Sequence, residues 1–260
     1  MLLPKNVEAA IIIEQKDLAK GVKEIILYAP HIASQAVAGQ FVHIRVMVKS
    51  HDPLLRRPIS IAGVNREKGY IKLIYRIVGN GTKIMADWKP QDKVDCMGPL
   101  GTGFQLQGDK VLLVGGGMGL APLMFLAESL CPRAIEIVMG GRTKEELFWR
   151  GSYEVICNNL HITTDDGTLG TRGIALDVLP TLLENEKYDM IYTCGPKIMM
   201  EKVFRLAQEF SIPCQVSLEE HMACGVGACL SCTCQTNGGK RKKICTDGPV
   251  FWGSEVFGCK

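Results

Sequence analysis

The chain has 260 residues, 47% of them hydrophobic, and a formal net charge of +3. That apolar share over that length is enough to bury a real core, in one large domain or two smaller ones. A charge so near balance, with no concentrated basic footprint, argues against nucleic acid as a partner.

The N-terminal MLLPKNVEAAIII reaches charged residues too soon for a secretory leader, so a cytoplasmic protein with reduced thiols is expected. From residue 1 to about 104 the sequence runs in short apolar stretches rich in β-branched residues: Ile11 to Ile13, Ile25 to Tyr28, Phe41 to Val48 and Ile71 to Val78. Ala38-Gly39, Ala62-Gly63 and Gly79-Asn80-Gly81 punctuate them, and the pattern predicts an antiparallel barrel or sandwich. Residues 54 to 61 read LLRRPISI. On a barrel strand, Arg57-Pro58-Ile59-Ser60 would offer a fixed cation for a phosphate and a hydroxyl for a ring nitrogen along one ligand-facing edge. R-x-x-S is common by chance, but LIYRIVGNGT at residues 73 to 82 adds to it. There a strand ends at Gly79-Asn80-Gly81, Thr82 can cap the next helix, and free N–H groups at such a helix start suit a pyrophosphate. Arg76 on that strand is either a second phosphate contact or a surface residue.

From about 109 to 213 the rhythm becomes strand, loop, helix. Lys110 to Val114, Ala134 to Met139, His161 to Thr164 and Asp189 to Thr193 read as buried strands, and Ala121 to Leu130, Thr143 to Trp149 and Lys197 to Phe210 as helices. This alternation predicts a doubly wound parallel sheet with helices on both faces. Val111 to Ala127 is uncharged and close to the length of a membrane span, but Gly115, Gly116, Gly117, Gly119 and Pro122 within it favour a strand, a tight loop and a helix. The loop GGGMGLAP departs from the strict G-x-G-x-x-G fingerprint, since Leu120 takes the third glycine's place, yet it still lets a dinucleotide pyrophosphate approach the backbone. Cys194-Gly195-Pro196 ends another strand of the same sheet, where ligands gather in open α/β folds; Cys194 also reads simply as a small buried hydrophobe.

Eleven cysteines are unevenly spread: Cys96, Cys131, Cys157 and Cys194 are scattered, and the rest fall between Cys214 and Cys259. The tail from 214 to 260 is too short and too rich in glycine and cysteine to form an apolar core of its own. Cys224, Cys229 and Cys232 stand in the spacing C-x4-C-x2-C, and Cys245 follows a hairpin-like QTNGGKRKK. This is the plant-type spacing for a [2Fe-2S] cluster. Gly225 and Gly227 permit the tight wrapping that turns amide N–H groups toward the sulfurs. A structural zinc site usually presents two C-x2-C pairs, whereas only Cys229 and Cys232 form one here. Cys234 could replace Cys232 but is expected in the strand that follows, and Cys214 and Cys259 have no assigned role. Lys240-Arg241-Lys242-Lys243 reads as a solvated hairpin tip. His31, His43, His51, His161 and His221 show no ligand or triad spacing and read as structural.

The order RRPISI, YRIVGNGT, GPLGTGF, GGGMGLAPL, CGP resembles the ferredoxin reductase family. With CGVGACLSC and CTDGPVF added, the whole chain is similar to the electron-transfer subunits of class 1B dihydroorotate dehydrogenases. The resemblance implies a multidomain β plus α/β protein: an FAD-binding barrel over 1–104, an NAD-binding α/β domain over 105–213 and a [2Fe-2S] domain over 214–260. It implies that FAD is held by Arg57, Pro58, Ile59, Ser60, Ile74, Tyr75, Arg76, Gly81 and Thr82. The cluster would be held by Cys224, Cys229, Cys232 and Cys245, with NAD at Gly115, Gly116, Gly117, Gly119, Cys194, Gly195 and Pro196.

A nicotinamide exchanges two electrons together and a cluster one at a time, so a flavin must stand between them, and the expected path is cluster, FAD, NAD. No side chain is expected to serve as acid or base in that exchange. Oxidising dihydroorotate needs a second flavin, for which this sequence has no spare domain. The resemblance supplies it as an FMN-containing catalytic subunit in a heterotetramer serving pyrimidine biosynthesis. Two rivals stand beside this reading: a flavin and iron–sulfur subunit of a ferredoxin-linked NAD(P)H oxidoreductase or sulfide dehydrogenase, and a zinc-containing nucleotide-binding protein without a redox role. Glu136 and Arg142 are the candidates for contact with the adenosine ribose or a 2′-phosphate.

Overall fold

The computed structural model describes residues 6–46 and 52–258, and the chain divides into two compact units. His51, Cys259 and the end of the Phe41 to Val48 stretch lie outside the described residues.

The first unit contains the chain up to Gly103 together with 219–234 and 242–249. Its strands are β1 (Asn6–Ala19), β2 (Val22–Tyr28), β3 (Phe41–Arg45), β4 (Arg57–Asn65), β5 (Tyr70–Arg76) and β6 (Lys93–Leu100), with helices α1 (Pro30–Gln35) and α2 (Asn80–Ala86) between them. The strands close into a barrel in the order β1-β2-β5-β4-β3-β6, every pairing antiparallel. This settles the choice between barrel and sandwich. Period-two alternation builds the core: Ala10 and Ile12, Ile25 and Leu27, and Ile71 and Leu73 are fully buried. Ile12 lies opposite Leu27, which in turn lies opposite Ile71. The amide of Gln15 reaches across the barrel to the carbonyls of Met85, Ala86 and Trp88 at 3.0–3.2 Å. It thereby satisfies the open C-terminal end of α2 and pins that helix in place.

The second unit contains Phe104–Leu218, 235–241 and the chain from Val250. It holds β7 (Lys110–Gly116), α3 (Leu120–Leu130), β8 (Ala134–Gly141), α4 (Arg150–Glu154), β9 (Asn159–Thr164), β10 (Thr171–Arg172), α5 (Ala175–Asn185), β11 (Met190–Cys194), α6 (Lys197–Glu209) and β12 (Cys214–Ser217). In the tail come the short hairpin β13 (Thr233–Gln235) and β14 (Arg241–Lys243), then β15 (Val250–Trp252) and α7 (Gly253–Val256). The sheet order is β10-β9-β8-β7-β11-β12-β15. All neighbours are parallel except β15, which runs antiparallel to β12. Val111 to Val114 are all fully buried. That continuous apolar run is the signature of a strand covered on both faces.

Among the described residues no helix is long and apolar enough to cross a membrane; Val111 to Ala127 forms a strand, a glycine turn and α3. The helix expected over Thr143 to Trp149 is not formed. That segment holds one 3-10 turn at Lys144–Glu146, and α4 starts only at Arg150. Helix α5 carries Pro180 inside it, which costs one i to i−4 hydrogen bond and hides the helix from a pattern reading. The tip of the tail hairpin is Asn237-Gly238-Gly239 rather than the basic run, most of which lies on the returning strand.

Glu136 on β8 is nearly buried, its side chain 6% exposed, and accepts from Lys110 Nζ at 3.3 Å and from His161 Nε2 at 3.1 Å. Burial works to raise its pKa, but His161, then the Tyr188 hydroxyl, then the hydrogen bond and charge of Lys110 outweigh it and hold the carboxyl below its ordinary value near 4.5. The folded state therefore binds fewer protons here than the unfolded state, so this stability is present above pH 4.5 and is lost as the pH falls through the folded value. Glu136→Gln is expected to lower unfolding stability at pH 7 by about 1–3 kcal/mol. Denaturant titrations should also show the variant losing less stability than wild type on acidification.

Candidate functional site

In the first unit, the Arg57 to Ser60 motif opens β4 and pairs in unbroken register with β3: Arg57 with Ile44, Pro58 with His43, Ile59 with Val42, Ser60 with Phe41. Strand alternation then puts Arg57 and Ile59 on one face and Pro58 and Ser60 on the other. Arg57 and Ser60 thus lie on opposite faces of one short segment rather than along a single edge. Ile74 and Tyr75 are buried on β5, and the Tyr75 hydroxyl donates to Gln15 Oε1 at 3.2 Å. That leaves their backbone, rather than their side chains, for a ligand. Arg76 is half-buried at the end of the same strand.

After β5 the chain turns through Gly79 into α2. The Thr82 hydroxyl accepts from the N–H groups of Val78 (2.9 Å) and Gly79 (3.1 Å), so Thr82 caps the helix from inside its first turn. The N–H groups of Asn80, Gly81 and Thr82 precede the first intrahelical acceptor. Arg57 is packed on this spot: a Cβ built on Gly81 would lie 2.5 Å from Arg57 Nε and 2.8 Å from its Cζ. A guanidinium and a row of helix-start amides meeting at one point suit the phosphates of a dinucleotide flavin.

The same unit holds all four predicted cysteine ligands. The Sγ of Cys224 accepts from the N–H groups of Val226 and Cys229, each at 3.4 Å, as expected of a loop that turns its amides toward sulfur. Gly225 (φ +69°) and Gly227 (φ +81°) make the turn possible. Ile244 N–H donates to the Cys232 carbonyl at 2.9 Å, which carries Cys245 to the side of Cys232. The thiols thus stand as two pairs, Cys224 with Cys229 and Cys232 with Cys245.

The environments of these thiols differ. Ser231, its hydroxyl 3.2 Å from Cys229 Sγ, leads the groups that pull that thiol down to about 6, with Cys224 contributing. Burial, followed by the neighbouring Cys232 thiol, pushes Cys245 up to about 11. Among the described residues no group of three or more His, Cys, Asp or Glu side chains converges as a cage for one ion. Two pairs suit a binuclear centre, in which each tetrahedral iron takes two protein thiolates. Cys234 lies in β13 and Cys214 in β12, both buried.

One residue that the sequence gave no reason to select stands beside this loop. His43, on β3, is fully buried, and a Cβ at Gly225 would lie 2.4 Å from its Nδ1. Burial, then the Arg56 cation, holds its pKa down to about 4, so the ring is neutral at pH 7.

In the second unit, the glycine loop leaves the C-terminal end of β7 and Cys194-Gly195-Pro196 leaves that of its parallel neighbour β11. Strands after β7 step to one side and β11 begins the other, so the two turns flank the topological switch point. They are closely packed: a Cβ on Gly119 would fall 2.3 Å from the Cys194 carbonyl oxygen. Gly117 has open space beside it. Cys194 is buried, with Sγ 3.7 Å from the Ser217 carbonyl. Glu136 sits at the opposite, N-terminal end of β8 and is committed to Lys110 and His161, which removes it as a ribose partner. Arg142, just past the end of β8, is paired with Glu146, its Nε donating at 2.9 Å.

Comparison with known proteins places this chain in a family. The family model for the iron–sulfur cluster binding domain of dihydroorotate dehydrogenase B matches residues 219–257, and that for the oxidoreductase FAD-binding domain matches residues 9–104. The dihydroorotate dehydrogenase B (NAD+) electron transfer subunit of Desulforamulus reducens is 44% identical over 230 residues, covering 86% of this chain and 87% of that protein. The chain belongs to the dihydroorotate dehydrogenase B electron transfer subunit family. A second member, from Bacillus caldolyticus, is 40% identical over 258 residues, covering 96% of this chain and 98% of its own. Among solved structures, one of an NADH-dependent reduced ferredoxin-NADP oxidoreductase, described for flavin-based electron bifurcation, superposes with a TM-score of 0.84. It is 32% identical and covers 96% of this chain and 90% of that one. A ferredoxin reductase of carbazole 1,9a-dioxygenase shares the fold at a TM-score of 0.67, with 22% identity, 81% of this chain and 68% of its own.

The family matches carry the cofactor classes with them: this chain has an FAD-binding domain and an iron–sulfur cluster binding domain, and it is an oxidoreductase component. Family members are subunits, so a catalytic partner chain is part of the assembly.

Proposed function

We propose that this chain is the NAD-linked electron-transfer subunit of a dihydroorotate dehydrogenase in pyrimidine biosynthesis. In this reading it takes electrons from the FMN of a catalytic partner and delivers them to NAD+, working in the cytoplasm as a heterotetramer of two copies of each chain. The observation that carries the reading is the pairing, within one compact unit, of a phosphate cradle (Arg57 with the start of α2) and two thiol pairs. When bound, FAD supplies exchange of electrons in pairs with a nicotinamide and singly with a [2Fe-2S] cluster. The protein's own part is to bind and orient. Arg57 and the α2 amides hold phosphate, Pro58, Ile59, Ser60 and the backbone of Ile74 to Arg76 line the flavin, and Cys224, Cys229, Cys232 and Cys245 hold the irons. Gly115, Gly116, Gly117, Gly119 and Cys194-Gly195-Pro196 receive NAD. The domain division of 1–104, 105–213 and 214–260 is proposed on the same basis, as three binding functions rather than three separate cores.

The deciding experiment is copurification with a candidate FMN-containing subunit, followed by an assay of NAD reduction driven by dihydroorotate. Preparations should be brown-yellow, with about two irons per chain and one FAD. A chain that copurifies with no such subunit, or a complex inert toward dihydroorotate, would end this reading. The likeness to the ferredoxin-NADP oxidoreductase supports a second reading, a ferredoxin-linked NAD(P)H oxidoreductase with the same cofactors, which a ferredoxin-driven assay separates from the first.

The nicotinamide site makes its own prediction. Because the Cβ of Gly119→Ala would meet backbone, neither wall yields cheaply, and overpacking of this kind costs about 1–3 kcal/mol. The variant is expected to raise the KM for NAD while FAD and iron contents stay at wild-type levels, checked by steady-state kinetics alongside cofactor analysis.

A further inference from the structure

We propose that His43 is a positioning residue for the iron–sulfur loop: its buried imidazole is the seat on which Cys224-Gly225 rests, and it fixes how Cys224 presents its sulfur. The inference rests on the assignment of Cys224 as a cluster ligand and adds to it a residue that binds neither iron nor flavin.

Three observations carry it. His43 is fully buried, and the polar groups its ring faces are the backbones of Arg56 and Cys224, although neither Nδ1 nor Nε2 completes a hydrogen bond of good geometry. A buried polar group left without a partner costs about 1–3 kcal/mol, whereas an apolar side chain at the same place would contribute stability, as its neighbours Val42 and Ile44 do. Stability alone therefore does not explain a histidine here. Next, the ring occupies the place a side chain at 225 would take, with Nδ1 2.4 Å and Cε1 3.1 Å from the Cβ position, so the loop lies directly on it.

Finally, the seat is rigid. β3 is a central barrel strand paired with β4 and β6, and Arg56 clamps it by donating to the His43 carbonyl at 3.1 Å and to the Asp95 carboxylate at 2.8 and 3.0 Å. The residue opposite His43 is Pro58 of the flavin motif. One fixed strand thus supports the loop with a side chain and the flavin segment with its backbone. Groups that orient a metal ligand are worth about 10- to 100-fold in metal affinity.

The test compares His43→Leu, which keeps bulk and removes the ring nitrogens that face the Cys224 backbone, with His43→Gln, which restores an N–H donor on that side. Both are purified with FAD bound. His43→Leu is expected to keep the wild-type flavin spectrum, to lose iron to a chelator about tenfold or more faster, and to show a displaced EPR spectrum of the reduced cluster. His43→Gln should recover part of both effects. Unchanged iron loss and an unchanged EPR spectrum in His43→Leu would overturn the proposal.

Should His43→Leu fail to fold, the native ring is probed directly in protein carrying 15N-labelled histidine and His221→Asn, which removes the exposed histidine that shortly precedes Cys224 in the sequence. Pulsed EPR should detect a histidine nitrogen coupled to the reduced cluster, and its absence would be fatal to the proposal. Wild-type protein that binds FAD but takes up no iron would overturn the cluster assignment and this inference together.

Discussion

Cys232→Ser is expected to abolish the iron–sulfur centre and leave the flavin in place. Cys232 is 1% exposed and Cys245 is fully buried beside it, so no exposed thiol can be recruited to that position without moving the backbone. Cys234, two residues on, is held in β13. A serine oxygen is a poor substitute for a thiolate, which is the ligand that iron–sulfur clusters take from proteins. Iron should fall from about two per chain to background, and dihydroorotate-driven NAD reduction should fall with it to the limit of detection. NADH oxidation by a small artificial acceptor, which needs only the flavin, should persist. Iron analysis and the two assays on one preparation check the result; retention of both irons would show that Cys232 is not a ligand.

Arg57→Ala is the second large effect expected. The guanidinium lies against Gly81 at the start of α2, where three backbone N–H groups lack intrahelical acceptors. A phosphate bound there would lose charge-assisted hydrogen bonds worth about 1.5–3 kcal/mol each, so FAD affinity should drop by about one to two orders of magnitude. Arg57→Lys keeps the charge without the planar fork and should fall between wild type and alanine. FAD retained after gel filtration, followed by titration of the apoprotein, measures the series. Iron content should be unaffected, because the cluster loop rests on β3 rather than on Arg57.

The two kinds of periodicity explain what was legible beforehand. Alternating Ile and Leu in the first hundred residues announces strands with one buried face, and the unbroken run Val111 to Val114 before three glycines announces a covered parallel strand with a tight turn. The cysteine spacing was legible for a chemical reason: two irons demand four sulfurs within a short reach, and few other needs impose that interval. Helix α5 was hidden by Pro180. The stretch from Thr143 to Trp149 has a helical composition but is spent on a 3-10 turn, where Glu146 is drawn to Arg142.

His43 was illegible for a different reason. Nothing along the chain links residue 43 to residue 225; the link exists only because the barrel presents the ring where Gly225 has no side chain. Similarly, Glu136 has the composition of a ribose ligand but sits at the wrong end of its strand, which only the register of β8 against β7 reveals.

The antiparallel addition of β15 to β12 has a bearing on behaviour in solution. Strands with a free row of peptide groups invite the same row on another copy, and long flat borders are where ordered aggregates start. Here one border of the seven-stranded sheet is occupied by a three-residue segment running against the grain, and the other ends in a two-residue strand. Neither margin offers a template long enough for sheet extension, so concentrated samples of this oxidoreductase should resist fibrillar association through that sheet.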